Sequence, residues 1–140
     1  VAQTVQDVMN NNLKSLPKSA SIWEAANMMR ENDIGDVVVI GEDSKILGIV
    51  TDRDIVVRAI AQGKDPSTTK LEEITSKDLV TVSSTDDADQ AVRLMREKAI
   101  RRLPVVDGDR PVGFVSIGDL ALAKDRESAL ADISGAPPNR

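Results

Sequence analysis

The chain has 140 residues, 41% hydrophobic and 29% charged, with a net charge of −5, the composition of a soluble globular domain or of two small units sharing a core. Its acidity, with one Trp, one Phe and no Tyr, argues against nucleic acid or anionic membrane as partner, which call for clustered positive charge and, for single strands, aromatic platforms. With no Cys and no His there is no disulfide, no thiol nucleophile, no thiolate or imidazole metal site and no His-based triad.

In chain order, Thr4 to Met9 reads as a short helix with Val5, Val8 and Met9 on one side, ended by Asn10-Asn11-Asn12. Leu13 to Pro17 is extended. Ser19 or Ser21, the latter with Glu24 three residues on, caps a helix to about Asn32 whose Ile22, Ala25, Ala26 and Met29 face the core. Val37 to Ile40 is a β-branched run suited to a buried strand, Gly41 to Ser44 a turn, and Ile46 to Val50 the return strand of a hairpin. Thr51 to Ala61 is helical, and Gly63 stops it. Residues 62–69 are a linker by composition. The order then repeats: a short helix Leu71 to Ile74, an extended piece Leu79 to Val82, and a helix Asp86 to Lys98 with Ala88, Ala91, Val92 and Met95 inward. Strands Leu103 to Val106 and Pro111 to Val115 and a helix from Ser116 through Ala123 follow. Residues 125–133 extend that helix, and 134–140 read as a disordered tail. No apolar run approaches membrane-span length and no signal peptide is visible, so the expected location is cytoplasmic.

The second half repeats the first in detail. Leu13, Ala25, Met29-Arg30-Glu31, Ile34 and Val39 return as Leu79, Ala91, Met95-Arg96-Glu97, Ile100 and Val105, an offset of 66. After the hairpin turn the offset falls to 65, and Gly48-Ile49-Val50-Thr51-Asp52-Arg53-Asp54 returns as Gly113-Phe114-Val115-Ser116-Ile117-Gly118-Asp119. A single shift, confined to a turn, is what a true repeat tolerates, and each copy is of a size at which independent stability is marginal. The division is residues 1–61, a linker 62–69, and residues 70–133.

Thr51 with Asp54, and Ser116 with Asp119, stand in the capping-box arrangement. Such a turn is expected to expose unpaired backbone N–H groups that suit a phosphate, and its carboxylate can take both hydroxyls of a ribose. A lone pair of this kind is most often only a helix cap; duplicated in one architecture, it favours a nucleotide cleft.

Extended segment, helix, strand, strand, helix, with the second strand ending in Gly-apolar-Val-(Thr/Ser)-x-x-Asp, resembles the cystathionine β-synthase (CBS) domain family over roughly Val5 to Ala123. Two such domains in tandem form a Bateman module. The resemblance implies an α+β fold of two β-α-β-β-α repeats packed through their sheets with pseudo-two-fold symmetry. It implies adenine nucleotides or adenosyl compounds (AMP, ADP, ATP or an S-adenosyl ligand) in clefts between the repeats. It further implies a homodimer formed through the repeat helices, and regulation of a partner protein.

The family's crossed arrangement puts Thr51, Arg53 and Asp54 in a cleft with Val80, Thr81, Val82, Ile100, Arg101, Arg102 and Pro104. Guanidinium groups suit phosphate because they stay charged and donate paired hydrogen bonds. The second cleft combines Ser116 and Asp119 with Lys14, Ser15, Ile34, Gly35, Asp36 and Val37. There Gly35 and Asp36 replace the arginines, and a carboxylate repels phosphate, so the first cleft is the preferred site. No aromatic side chain is expected near either cleft, so aliphatic groups such as Val80, Val82, Ile100 and Ile49 would hold the adenine. Trp23 lies off the inward stripe, which leaves either a partner surface or a partly buried contact.

The leading functional expectation is a ligand-sensing regulatory module without catalysis, acting on an unidentified effector in trans. The competing one is a structural or interaction protein with vestigial clefts. An enzyme is disfavoured because no nucleophile has a recognisable partner base.

Overall fold

A computed structural model describes residues 3–76 and 78–122. Residue 123, the expected helix over 125–133 and the tail lie outside the described residues. Among the described residues six strands form two three-stranded sheets, ordered β1-β2-β3 and β4-β5-β6, and the mixed α+β architecture has the element order expected of each repeat.

The chain divides into two compact units. The first holds, among described residues, 13–76, 78–80 and 108–111. In it β1 (Ser15–Pro17) runs parallel to β2 (Asp36–Ile40), and β3 (Ile46–Thr51) runs antiparallel to β2 with Asp36 opposite Thr51. The parallel pair needs a crossover, which α2 (Ile22–Asn32) supplies. Ser21 Oγ accepts from Glu24 N at 3.1 Å, and Asp33 ends the helix in a left-handed conformation. Ile22, Ala25 and Met29 pack with Val37, Val39 and Val50 of the sheet. Ala26 is exposed, and the partly buried Met28 packs on the core in its place.

The helix expected over Thr51 to Ala61 is α3 (Asp52–Asp54) followed by a π-helical turn, Ile55–Ile60. It buries Ile55 and Ala59 and leaves Val56, Val57 and Ile60 exposed. Gly63 follows with φ +74°.

The second unit holds, among described residues, 3–12, 81–107 and 112–122. Its sheet is β4 (Val82–Ser83), β5 (Arg102–Asp107) and β6 (Arg110–Ser116), with β4 parallel to β5 and Val82 opposite Val105. The expected extended piece Leu79 to Val82 contributes only its last residue to the sheet. Helix α4 (Ala88–Lys98) buries Ala91 and Met95, and residues 117–122 are helical after the second motif.

The compact units and the sequence repeats divide the chain differently, because the leading segments are exchanged. Helix α1 (Val5–Val8), from the first repeat, folds in the second unit, where Val5 N donates to Asp86 O at 2.8 Å and Gln6 N to Ser84 O at 2.9 Å. Conversely, the second repeat's 3-10 turn Leu71–Glu73 folds in the first unit. Leu71 N donates to Ala20 O at 2.9 Å, and the Leu71 and Ile74 side chains complete that unit's core.

Candidate functional site

The exchange explains the motif glycines. A Cβ on Gly48 would lie 2.5 Å from Thr75 Cγ2 and 2.7 Å from Ser76 O. A Cβ on Gly113 would lie 2.5 Å from Asn10 O, whose residue exchanges backbone hydrogen bonds with Phe114 at 2.7 and 2.9 Å. In both units the glycine is where the exchanged segment crosses the motif strand at backbone distance, a requirement only glycine meets.

Three residues on from each glycine, the strand turns into a helix through a complete capping pair. Thr51 Oγ1 accepts from Asp54 N at 3.0 Å while Asp54 Oδ2 accepts from Thr51 N at 2.9 Å. Ser116 Oγ and Asp119 N, and Asp119 Oδ2 and Ser116 N, do the same at 3.0 and 3.1 Å. One carboxylate oxygen is thereby fixed and the other, Oδ1, accepts no hydrogen bond from a described residue. Asp54 Oδ1 has Arg58 Nε at 3.7 Å, one helical turn away, and Arg58 also donates to Ile74 O at 3.3 Å. The i, i+4 spacing of Asp54 and Arg58 is the signal that would have found this pair.

At the first turn the expectation of unpaired N–H groups is overturned. Asp52 N donates to Gly35 O at 2.9 Å, Arg53 N to Asp52 Oδ1 at 2.8 Å and Asp54 N to Thr51 Oγ1. In the second unit Ile117 N donates to Arg101 O at 2.9 Å. Arg53 is exposed and makes no ion pair with a described residue.

Of the residues singled out in the sequence, Lys14, Ser15, Ile34, Gly35, Asp36, Val37, Thr51, Arg53, Asp54 and Val80 belong to the first unit. Thr81, Val82, Ile100, Arg101, Arg102, Pro104, Ser116 and Asp119 belong to the second. Within the first, Gly35 and Asp36 adjoin the Thr51 turn; within the second, Arg101 adjoins the Ser116 turn. Val37 and Pro104 are fully buried, whereas Arg101 and Arg102 are exposed. Asp119 also lines a pocket of about 310 Å³ with Asp7, Val8, Met9 and Asn10 of the exchanged segment.

An aromatic ring lies beside one of the singled-out arginines. The guanidinium carbon of Arg102 lies 4.6 Å from the centroid of the Phe114 ring. Trp23, 57% exposed, is a surface residue.

Among the described residues no helix is long and apolar enough to cross a membrane, and no three His, Cys, Asp or Glu side chains cluster as metal ligands.

The family model for the CBS domain matches residues 5–60 and 71–125. The CBS domain-containing protein YhcV of Bacillus subtilis is 36% identical over 135 residues, covering 94% of this chain and 95% of that protein. Hypoxic response protein 1 of Mycobacterium tuberculosis is 34% identical over 118 residues, covering 84% of this chain and 82% of that protein. A crystal structure of Hypoxic Response Protein I with two coordinated zinc ions matches with TM-score 0.79 and 33% identity, over 86% of this chain and 98% of that one. The CBS domain pair of protein MJ0100, solved with 5-methylthioadenosine and S-adenosyl-L-methionine, matches with TM-score 0.77 and 27% identity, over 91% and 99% of the two chains.

Proposed function

The chain belongs to the CBS domain family, with two CBS domains in tandem, and we propose that it is a cytoplasmic, non-enzymatic regulatory module that binds an adenine nucleotide or adenosyl compound and acts on a partner protein in trans. CBS pairs are in general ligand-binding regulatory modules, and the MJ0100 pair holds two adenosyl compounds. The observation that carries the reading to this chain is the duplicated turn. In each, one aspartate oxygen is tied to the backbone and the other accepts no hydrogen bond from a described residue. A carboxylate held in this way is oriented in advance for the two hydroxyls of a ribose, so little freedom is lost when a ligand binds.

The preferred ligand set is Thr51, Arg53 and Asp54 with Val80, Thr81, Val82, Ile100, Arg101, Arg102 and Pro104. The arginines supply the phosphate charge that the backbone N–H groups, already bonded, do not. The set of Ser116 and Asp119 with Lys14, Ser15, Ile34, Gly35, Asp36 and Val37 carries an additional carboxylate and suits a less anionic ligand. The zinc of Hypoxic Response Protein I is not carried over, because this chain lacks the imidazole and thiolate donors zinc prefers. The exposed side chains Val56, Val57 and Ile60 of the π-helical turn support a homodimer through the repeat helices.

The complete caps at both turns also favour a second reading, a structural protein whose motif aspartates only cap helices. Thermal melting separates the two. A ligand that binds only the folded state adds about 2.7 kcal/mol at one hundred times its Kd, so one or more of AMP, ADP, ATP and S-adenosylmethionine at millimolar concentration raises the melting temperature. No shift with any of them leaves the structural reading.

A further inference from the structure

We infer that Phe114 is a positioning residue: its ring holds the Arg102 guanidinium where a ligand phosphate is bound, so that it sets the preference for phosphorylated over unphosphorylated adenosyl ligands. The inference rests on the adenosyl-binding reading above. Phe114 is 4% exposed and fixed within its unit's core. Arg102, on the neighbouring strand, is exposed, and its charge lies 4.6 Å from the ring centroid, within the range of a cation–π contact. An unheld arginine gives up much rotamer freedom on gripping an anion, and a stacked one gives up less.

The other repeat serves as an internal control. The repeat register places Ile49 at the position of Phe114 and Gly35-Asp36 at those of Arg101-Arg102. Both units keep the backbone tie between strand start and motif turn, Asp52 N to Gly35 O and Ile117 N to Arg101 O, each at 2.9 Å. That tie is therefore structural. The ring occurs only in the repeat that has a guanidinium to hold; the matching position in the first repeat is filled by the partly buried Ile49.

The test is calorimetric titration of the whole chain with AMP and with adenosine, using Phe114→Ile, Phe114→Leu, Arg102→Ala and the Phe114→Ile/Arg102→Ala pair, each checked for folding by its melting curve. An exposed cation–π contact corresponds to a factor of roughly two to five. Phe114→Ile and Phe114→Leu are expected to lower AMP affinity relative to adenosine by about that factor, and the effect vanishes in the Arg102→Ala background. A merely structural Phe114 lowers both ligands alike or neither, and its effect persists without Arg102; either result overturns the inference while leaving the adenosyl reading intact. Wild-type protein that binds neither AMP nor adenosine removes the adenosyl reading for these ligands, and this role with it.

Discussion

Replacing Asp54 separates the cap that its carboxylate forms from the ribose contact proposed for it. Its Oδ2 accepts from Thr51 N at 2.9 Å, and its half-buried side chain is the reciprocal arm of a cap whose other arm, Asp54 N to Thr51 Oγ1 at 3.0 Å, belongs to the backbone and survives substitution. Asp54→Ala removes one capping acceptor and costs about 0.5–2 kcal/mol, a fall in melting temperature of roughly 1–10 °C. Asp54→Asn keeps an oxygen that can accept from Thr51 N, so most of the cap remains. It loses the charge and one of two acceptors. Hydrogen bonds to a charged group contribute about 1.5–3 kcal/mol, so the asparagine variant binds AMP or S-adenosylmethionine roughly 10- to 100-fold more weakly while melting close to wild type. Calorimetric titration and thermal melting on the same preparations read the two quantities. If Asp54→Asn binds as tightly as wild type, the carboxylate is only a cap and the assignment of ribose to it is refuted.

Asp119→Asn is expected to weaken nucleotide binding less than Asp54→Asn, because its ligand set includes Asp36 in place of the arginines; equal or larger losses measured by titration reverse the ranking of the two sets. Gly48→Ala and Gly113→Ala both place a Cβ into a crossing backbone and are expected to destabilise by about 1–3 kcal/mol, read by denaturant melting; an unchanged midpoint would contradict the crossing as the reason for glycine. Glu42 is held below its ordinary carboxyl value by the hydrogen bond and charge of Lys18, whose Nζ lies 2.7 Å away. Its small contribution is present above the ordinary carboxyl range and lost as pH falls through the depressed value, so the melting curves of Glu42→Gln and wild type converge in acid and separate above it. Ile60→Glu, on the exposed apolar side of the π-helical turn, is expected to shift the sedimentation of the proposed homodimer toward monomer, and unchanged sedimentation would contradict a dimer contact there.

The repeat was legible because it is written at a constant offset from Leu13 to Val39 and again from Gly48 to Asp54, and both capping pairs formed as their spacing implies. Helix α2 was legible from Ser21, Glu24 and the Ile22/Ala25/Met29 stripe. The π-helical turn was not, since an α-helix and a π-turn both place Ile55 and Ala59 inward, and the difference lies in which of Val56, Val57 and Ile60 the surrounding packing leaves outside. The exchange of leading segments was hidden for a related reason: the pattern of residues 4–9 says that one side is apolar, not which sheet it covers. The acceptors that silence the turn's N–H groups, Gly35 O and Arg101 O, are equally non-local. The Arg102–Phe114 contact sat within reach of the hairpin register, because both residues occupy facing strands of one hairpin.

The most direct measurement is a crystal structure of the protein soaked with a mixture of AMP, ADP, ATP and S-adenosylmethionine. An adenosyl ligand is expected with its ribose hydroxyls within hydrogen-bond distance of the Asp54 carboxylate. A ligand bound away from both motif aspartates, or none bound at saturating concentration, would contradict that expectation.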